Sequence, residues 1–249
     1  MPVKAVDNLG PHLLGRKPSP PDHRDFKMAE RLQGYGRPWY VRLWYWVLSL
    51  VVAEPPPPPP PGPPPDPGNY VRHSAVQLDQ SDTPHCVGFA SAHWEAADPV
   101  EGAVTNATGH EIYYDCKIKD GEPHEEDGTY VRTAAAVLKD DGRLDAYYFA
   151  DNITQIRDWL RTFGAVIMGT DWLEDMFYPG DDGYVNVSGS VAGGHSYIVL
   201  GDLPGEEAFL CQNSWGSEWG IGGRFKVKWD DMSRLLGAQG EACGATELP

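Results

Sequence analysis

A cysteine at the expected start of a helix and a histidine at the start of an apolar strand are the side chains best suited to covalent chemistry. Thr83-Pro84 predicts an N-cap followed by proline at the first helical position, with the helix ending near Ala97. Cys86 then lies in the first turn, where the helix dipole and a nearby imidazolium lower a thiol pKa from about 8.5 to about 3.5–7.5. We expect Cys86 to be a thiolate nucleophile at neutral pH, with His195 as its ion-pair partner and general acid.

Each of these residues also has a plainer interpretation. A lone cysteine is usually a small buried hydrophobe, and His195 could be a hydrogen-bonded core histidine at a strand edge. Asn213 could cap a turn, and Trp215 could simply pack. The polar residues that precede Cys86 favour the nucleophile, and the two glycines before His195 allow close backbone approach at a cleft.

Three local patterns together resemble the papain-like cysteine peptidases. They are Gln80 six residues before Cys86, the segment Gly193-Gly194-His195, and the segment Asn213-Ser214-Trp215-Gly216. The resemblance covers residues 21–26 and 76–236, and it extends to bacterial and phage-type members of the family. Further segments occur in the order that the family shows: Pro21 to Phe26, Ile112-Tyr113-Tyr114, Glu126-Asp127-Gly128, Gly164-Ala165-Val166 and Gly220 to Phe225.

The resemblance implies a cysteine peptidase that hydrolyses amide bonds through an acyl-enzyme, with a peptide or protein substrate and no cofactor. The Gln80 side chain and a backbone N–H would form the oxyanion hole. Asn213 would orient the catalytic imidazole, and Trp215 would shield that contact from water. The implied catalytic residues are Cys86, His195, Asn213 and Gln80, and the implied substrate-binding residues are Gly128, Gly194 and Trp215.

The periodicity after Gln77 predicts helices first and strands afterwards, which is typical of one α+β unit with an antiparallel sheet. The resemblance implies the papain-like two-lobed fold, with a helical lobe at about 76–148, a sheet or barrel lobe at about 152–236, and the active-site cleft between them. After the helix that carries Cys86, further helices are expected at His110–Lys117, Tyr130–Lys139 and Thr154–Phe163. Strands are expected at Ala165–Gly169, Ser196–Leu200, Ala208–Gln212 and Arg224–Trp229.

Composition divides the chain into an amino-terminal arm (1–54), a polyproline spacer (55–68) and a peptidase domain (69–249). Seven consecutive prolines begin at Pro55 and predict an extended polyproline II strut. The aromatic run from Trp39 to Trp46 indicates a protein partner docked through residues 39–67. An alternative function is therefore a structural or docking component of an assembly such as a phage virion or tail. A third interpretation is that the arm occupies the cleft as a pro-segment.

Charge and hydropathy exclude several other classes of function. The 249 residues carry a formal net charge of -16, which repels nucleic acid and anionic lipid. The apolar stretch from Trp39 to Ala53 contains Arg42 and is shorter than the roughly 20 residues of a membrane span. The first residues contain no apolar run typical of a signal peptide. We therefore expect no membrane span and cytoplasmic synthesis, with incorporation into a virion or release by lysis as further fates.

The remaining thiols and histidines predict no metal site. Cys116, Cys211 and Cys243 lie far apart without a CxxC pair, so they are expected to be free structural thiols. The histidines and acidic residues elsewhere lack metal-ligand spacing and are expected in solvated loops; they are His85, His93, His110 and Asp181-Asp182-Gly183.

Overall fold

The computed structural model describes residues 12–22, 25–32, 68–125 and 127–246. The aromatic run from Trp39 to Trp46 and the proline-rich stretch at 55–67 lie outside these residues. The proposals of a docking surface at 39–67 and of a polyproline strut therefore stay predictions. Within the described part of the chain, none of the helices is both long and apolar enough to cross a membrane.

Helices form close to where the apolar periodicity predicts them. The carboxyl-terminal helix α6 and the short helix α1 were not expected, and Trp229, assigned to the end of a strand, instead begins α6. The helices are α1 (Met28–Leu32), α2 (Cys86–Ala96), α3 (Asn106–Asp120), α4 (Val131–Asp140), α5 (Ile153–Thr162) and α6 (Trp229–Gly237).

The helix that carries Cys86 begins two residues later than Thr83-Pro84 predicts. His85 occupies the N-cap position, and no side chain caps the helix there. Thr83 is not the cap because its hydroxyl donates instead to the Gln80 carbonyl at 2.6 Å. Cys86 is therefore the first helical residue, and its backbone N–H is one of those that a helix leaves without an intrahelical acceptor.

The strands form one antiparallel sheet and a small separate pair. In the sheet the order is β4-β9-β5-β6-β7-β8, with β2 paired to β6, whereas β1 and β3 pair in parallel. The strands are β1 (Arg16–Lys17), β2 (Tyr70–Val71), β3 (Thr129–Tyr130), β4 (Ala146–Phe149), β5 (Val166–Leu173), β6 (Val191–Leu203), β7 (Ala208–Gln212), β8 (Arg224–Lys228) and β9 (Glu241–Thr246). The predicted α+β class with an antiparallel sheet is confirmed.

The sheet separates two apolar cores because alternate side chains of its central strands point to opposite faces. Ile167 packs with helices α2, α3 and α4, whereas its neighbours Val166 and Met168 pack on the other face with α5 and α6. On β6, Ile198 and Val199 divide in the same way. Since both faces are covered, β5 and β6 are almost continuously buried.

Part of the arm packs against the unit that was assigned to 69–249. Met28 is fully buried in the core beside α5, and Leu14 is buried against the same cluster. Arg132 forms an ion pair with Asp25 at 2.5 Å. Residues 12–22 and 25–32 therefore pack with the unit assigned to 69–249, which the boundary at residue 54 did not anticipate, because these apolar contacts join residues far apart in sequence.

Candidate active site

The imidazole of His195 is held by Asn213. His195 Nε2 lies 2.8 Å from Asn213 Oδ1, and the backbone N–H of Ser214 also donates to that oxygen at 2.8 Å. A backbone N–H can only donate, so this atom is the amide oxygen, and Nε2 must carry a proton. In the neutral ring Nδ1 is then the basic nitrogen, and it has no hydrogen-bond partner among the described residues.

Cys86 is placed beside the strand that carries His195. The backbone N–H groups of Ser196, Val87 and Gly15 face its sulfur and lower its pKa. Ser196 follows His195 on β6, and the Ser196 hydroxyl is tied to the Met168 carbonyl at 2.7 Å on the neighbouring strand. The amino terminus of α2 and the centre of the sheet thus bring the thiol and the unpartnered ring nitrogen to one region.

Both polar atoms of the Gln80 side-chain amide form hydrogen bonds within the protein. Its Oε1 accepts from the Ser214 hydroxyl at 2.7 Å, and its Nε2 donates to the Thr83 carbonyl at 2.7 Å. The second Nε2 hydrogen reaches the carbonyl of Leu13 at 3.1 Å. Gln80 therefore presents a pre-oriented donor to the peptide carbonyl of Leu13.

Aromatic rings enclose the His195 imidazole. Trp215 stacks on it with ring centroids 4.6 Å apart, and Trp172 meets it edge-on at 4.9 Å. Phe177 also belongs to this apolar shell and stacks on Trp215 with ring centroids 5.6 Å apart. The pattern Asn213-Ser214-Trp215-Gly216 indicated Trp215, but Trp172 was missed because nothing local to β5 connects it to the histidine.

Residues 12–17 lie across this site, and we call them the covering segment. His12 stacks on Trp215 with ring centroids 4.3 Å apart. The Gly15 carbonyl accepts from the Thr129 backbone N–H at 2.9 Å. The following two residues form β1, which runs parallel to β3. The segment leaves Cys86 and His195 without solvent exposure.

Two of the predicted substrate-binding glycines contact this segment closely. Gly128 has φ +94°, and a Cβ there would lie 1.9 Å from the Gly15 carbonyl oxygen. A Cβ on Gly194 would lie 2.1 Å from the Arg16 carbonyl oxygen. Lys117 supports the first glycine by donating to the Gly128 carbonyl at 3.1 Å. Only glycine admits a backbone so close at either position.

Burial under the covering segment reverses the expected ionisation of the catalytic pair. Desolvation raises the pKa of the Cys86 thiol to about 11 and lowers the pKa of His195 to about 3. Both side chains are therefore neutral at pH 7. The expectation of a thiolate at neutral pH does not hold in this covered arrangement, since burial outweighs the nearby N–H groups.

The other candidate side chains take structural positions. All four cysteines are free and buried, as predicted for Cys116, Cys211 and Cys243. His85 and His93 are buried rather than in solvated loops, because all faces of α2 are covered by other parts of the protein. The Nε2 atom of His93 accepts a hydrogen bond from the Leu78 backbone N–H at 3.0 Å.

Two groups of possible metal ligands lie on the described surface, although no sequence spacing indicated them. The atoms of His73, Asp98 and Glu101 lie within 4.8 Å of one another, but Asp98 already accepts the His73 backbone N–H at 2.8 Å. The second group is Glu122, Glu125 and Asp127. Two of its carboxylates are neutralised by Lys17 and Lys117.

Comparison with known proteins identifies this architecture. No protein-family profile and no curated protein sequence matches the chain. Among solved structures, xylellain, a cysteine protease from Xylella fastidiosa, aligns with TM-score 0.69 and 14% identity over 100% of both chains. The chain has the papain-like cysteine protease fold.

Two further structures share this papain-like fold. Procathepsin B S9 from Trypanosoma congolense aligns with TM-score 0.57 and 15% identity, over 70% of this chain and 73% of its own. Bromelain from Ananas comosus, solved with the E64 inhibitor, aligns with TM-score 0.54 and 13% identity, over 72% of this chain and 95% of its own. The resemblance read from short motifs is therefore confirmed at the level of the fold.

Proposed function

We propose that this chain is a cysteine peptidase that hydrolyses peptide bonds through an acyl-enzyme on Cys86. One observation carries the proposal: Gln80 donates to the carbonyl of Leu13, a peptide group of the chain itself, two residues before Gly15, whose backbone contacts the Cys86 sulfur. A substrate carbonyl that replaced it would meet the same donor. The buried Cys86, the Nδ1 of His195 and the amide of Asn213 supply the remaining groups that acyl transfer requires.

The proposed steps require Cys86 and His195 to approach each other once residues 12–17 are displaced, because His195 Nδ1 has no hydrogen-bond partner among the described residues. His195 Nδ1 accepts the Cys86 proton, and the thiolate attacks the substrate carbonyl carbon. Gln80 Nε2 and the Cys86 backbone N–H stabilise the oxyanion, a contribution of about 2.7–4 kcal/mol per donor in other enzymes. Nδ1–H then protonates the leaving amine, which leaves a thioester. Nδ1 finally activates the water that hydrolyses the thioester and regenerates the thiol.

We further propose that the covering segment is a pro-segment that keeps the site closed. Its backbone occupies the region where Gln80 and Gly128 would contact a substrate. Substrate and segment then compete for one cleft, so activity requires displacement of residues 12–17. The docking role proposed for residues 39–67 and the virion alternative concern other parts of the arm, and nothing in the cleft favours them.

A fluorogenic peptide library and an epoxysuccinyl inhibitor such as E64 test the proposed activity in the full chain. Once the covering segment has been displaced, we expect amide hydrolysis that the inhibitor stops by adding one covalent group to Cys86, located by mass spectrometry of proteolytic fragments. The other three cysteines, which are buried in the cores, serve as internal controls. Modification spread equally over all four thiols would contradict the proposal.

Asn213→Ala should reduce activity without abolishing it. The substitution removes the acceptor of the His195 Nε2–H, so the imidazolium loses a charge-assisted hydrogen bond worth about 1.5–3 kcal/mol. We expect kcat/KM to fall about 10- to 150-fold, measured after the segment has been displaced. Asn213→Gln is the control, because it keeps the side-chain amide but displaces it by one methylene. Unchanged kcat/KM in the alanine variant would show that Asn213 only caps a turn.

Acid should favour displacement of the covering segment. Burial lowers the pKa of His12 below its ordinary value of 6.5, despite Asp79 and Asp82 nearby. Above about pH 6.5, His12 is neutral whether the segment covers the site or is displaced. As the pH falls, His12 binds a proton in the displaced segment but not in the covering one, so the closed form loses stability. We expect the ratio of the Cys86 labelling rate at pH 5.5 to that at pH 7.5 to be higher in the wild type than in His12→Phe, which keeps the aromatic stack. Equal ratios would contradict this role of His12.

A further inference from the structure

Three polar side chains share one face of α3, next to the connection that leads from α3 to β3. They are Tyr113, Lys117 and Asp120, which recur at the spacing that brings side chains together on a helix surface. We call them the α3 polar stripe. Tyr113 and Lys117 are fully buried. Buried polar atoms are almost always hydrogen-bonded, so the partners of these atoms indicate the role of the stripe.

Lys117 uses all three hydrogens of its ammonium group inside the protein. It donates to Glu122 Oε2 at 2.8 Å, to Asp127 Oδ1 at 2.8 Å and to the Gly128 carbonyl at 3.1 Å. Glu122 and Gly128 lie near the two ends of the connection between α3 and β3. One buried side chain therefore ties both ends of this connection to the helix.

The other two members of the α3 polar stripe hold the same part of the chain. The Tyr113 hydroxyl accepts the Gly128 backbone N–H at 3.2 Å, and Asp120 accepts the Thr129 hydroxyl at 2.6 Å. Both the N–H and the C=O of Gly128 are thus bonded to α3, as is the side chain of the next residue. The orientation of this backbone is therefore set by α3.

The Thr129 backbone N–H faces the cleft instead. It donates to the Gly15 carbonyl of the covering segment at 2.9 Å, and a substrate peptide in the same place would meet the same donor. This N–H and the Gly128 C=O belong to one planar trans peptide group, so they point in opposite directions. Lys117, which binds the C=O, therefore fixes the direction in which the N–H points.

We infer that Lys117 is a positioning residue that holds the Gly128–Thr129 peptide group so that the Thr129 N–H meets a carbonyl of the substrate backbone. This inference rests on the proposed peptidase function and adds a residue to its machinery. Lys117 acts through the peptide group, because it binds the C=O side whereas the substrate meets the N–H side.

The charges of the connection explain why Lys117 is needed when substrate is bound. Lys17 of the covering segment also pairs with Glu122 and Asp127, but it leaves with the segment, and Lys117 remains. The two carboxylates are 35% and 43% exposed, so without Lys117 they can turn to water and carry the connection with them. Loss of the ammonium should therefore displace the Thr129 donor.

The test uses electrophiles that differ in one carbonyl. A peptidyl epoxide labels Cys86 in the full-length protein, beside two analogues in which its first or its second peptide group is a trans alkene. All three need the same displacement of residues 12–17, so the ratio of their labelling rates does not depend on how often the cleft is open. In the wild type we expect one alkene to react about five- to tenfold more slowly, through a higher KI and an unchanged kinact.

Lys117→Met removes the ammonium and keeps an unbranched side chain. We expect the ratio of the amide to the alkene rate to fall below about twofold, because the Thr129 N–H no longer meets the carbonyl. Lys119→Met is the matched control, since it removes the same charge from the same helix. Lys119 pairs with Asp140 at 2.6 Å, outside the connection, so this variant should keep the wild-type ratio.

Tyr113→Phe tests the same peptide backbone from its other side. It keeps the aromatic ring and removes the hydroxyl that accepts the Gly128 N–H, so we expect the ratio to fall in the same direction as in Lys117→Met. This variant decides the test if Lys117→Met does not fold.

The outcomes separate the inference from the proposed function. A wild-type ratio in folded Lys117→Met overturns the inference alone, even if all the rates fall together, because Lys117 would then only stabilise the fold. Equal rates for the amide and both alkenes in the wild type, or an equal fall of the ratio in Lys119→Met, overturn it as well. Failure of every electrophile to label Cys86 overturns the proposed peptidase and the inference with it.

Discussion

Cys86→Ala is expected to reduce peptide hydrolysis by at least about 10³-fold. The substitution removes the sulfur of the proposed nucleophile, and in enzymes that act through a covalent intermediate the residual rate comes from the oxyanion hole and binding alone. The fold should persist, since alanine leaves a small void at the first residue of α2. Initial rates with the best fluorogenic peptide and the far-UV circular dichroism spectrum measure the two expectations.

Cys116→Ala is the matched control. Its thiol is equally buried and also lies in the helical core, but on α3, away from His195 and Gln80. We expect both variants to lose similar stability and only Cys86→Ala to lose activity. If both variants lost activity in proportion to stability, Cys86 would be a core residue, and the proposed nucleophile would be wrong.

The helices and several strands follow from local sequence patterns. The predicted segment at His110–Lys117 lies inside α3, and the strand Ala208–Gln212 has the predicted ends. These segments have a continuous periodicity and are bounded by glycine or polar residues, so the information lies within a few residues. Trp229 was assigned to a strand because it extends an apolar alternation, although Asp230 and Asp231 behind it favour the first turn of a helix.

The strands β4 and β9 could not be predicted in this way. Ala146 pairs with Thr246, a partner 100 residues away, and neither strand is recognisable without the other. The same reason hides the covering segment: Leu14 and Arg16 belong to a polar, proline-containing stretch whose order comes from contacts with Gly193, Gly194 and Glu241. Motif spacing indicated Cys86, His195 and Gln80, but only the fold shows what covers them.

Arg16→Ala should open the cleft. In the closed form the substitution leaves Glu241 without its cation, a loss of about 1–3 kcal/mol that displacement of the segment relieves. The open population should therefore rise about 5- to 150-fold, and the rate of Cys86 labelling by a small, uncharged epoxide should rise by the same factor at constant pH. Mass spectrometry of time points gives this rate directly.

Lys27→Ala provides the control for a general loosening of the amino-terminal residues. Lys27 forms an ion pair with Asp151 at 3.1 Å, with both side chains about half exposed, and such pairs contribute little to stability. It precedes α1 and lies outside the cleft, so its loss should leave the labelling rate nearly unchanged. Equal acceleration by Lys27→Ala and Arg16→Ala would indicate that the arm loosens as a whole. No acceleration by Arg16→Ala would mean that the contacts of Leu13, Gly15 and His12 hold the segment in place without the ion pair, and the closing role assigned to Arg16 would be wrong.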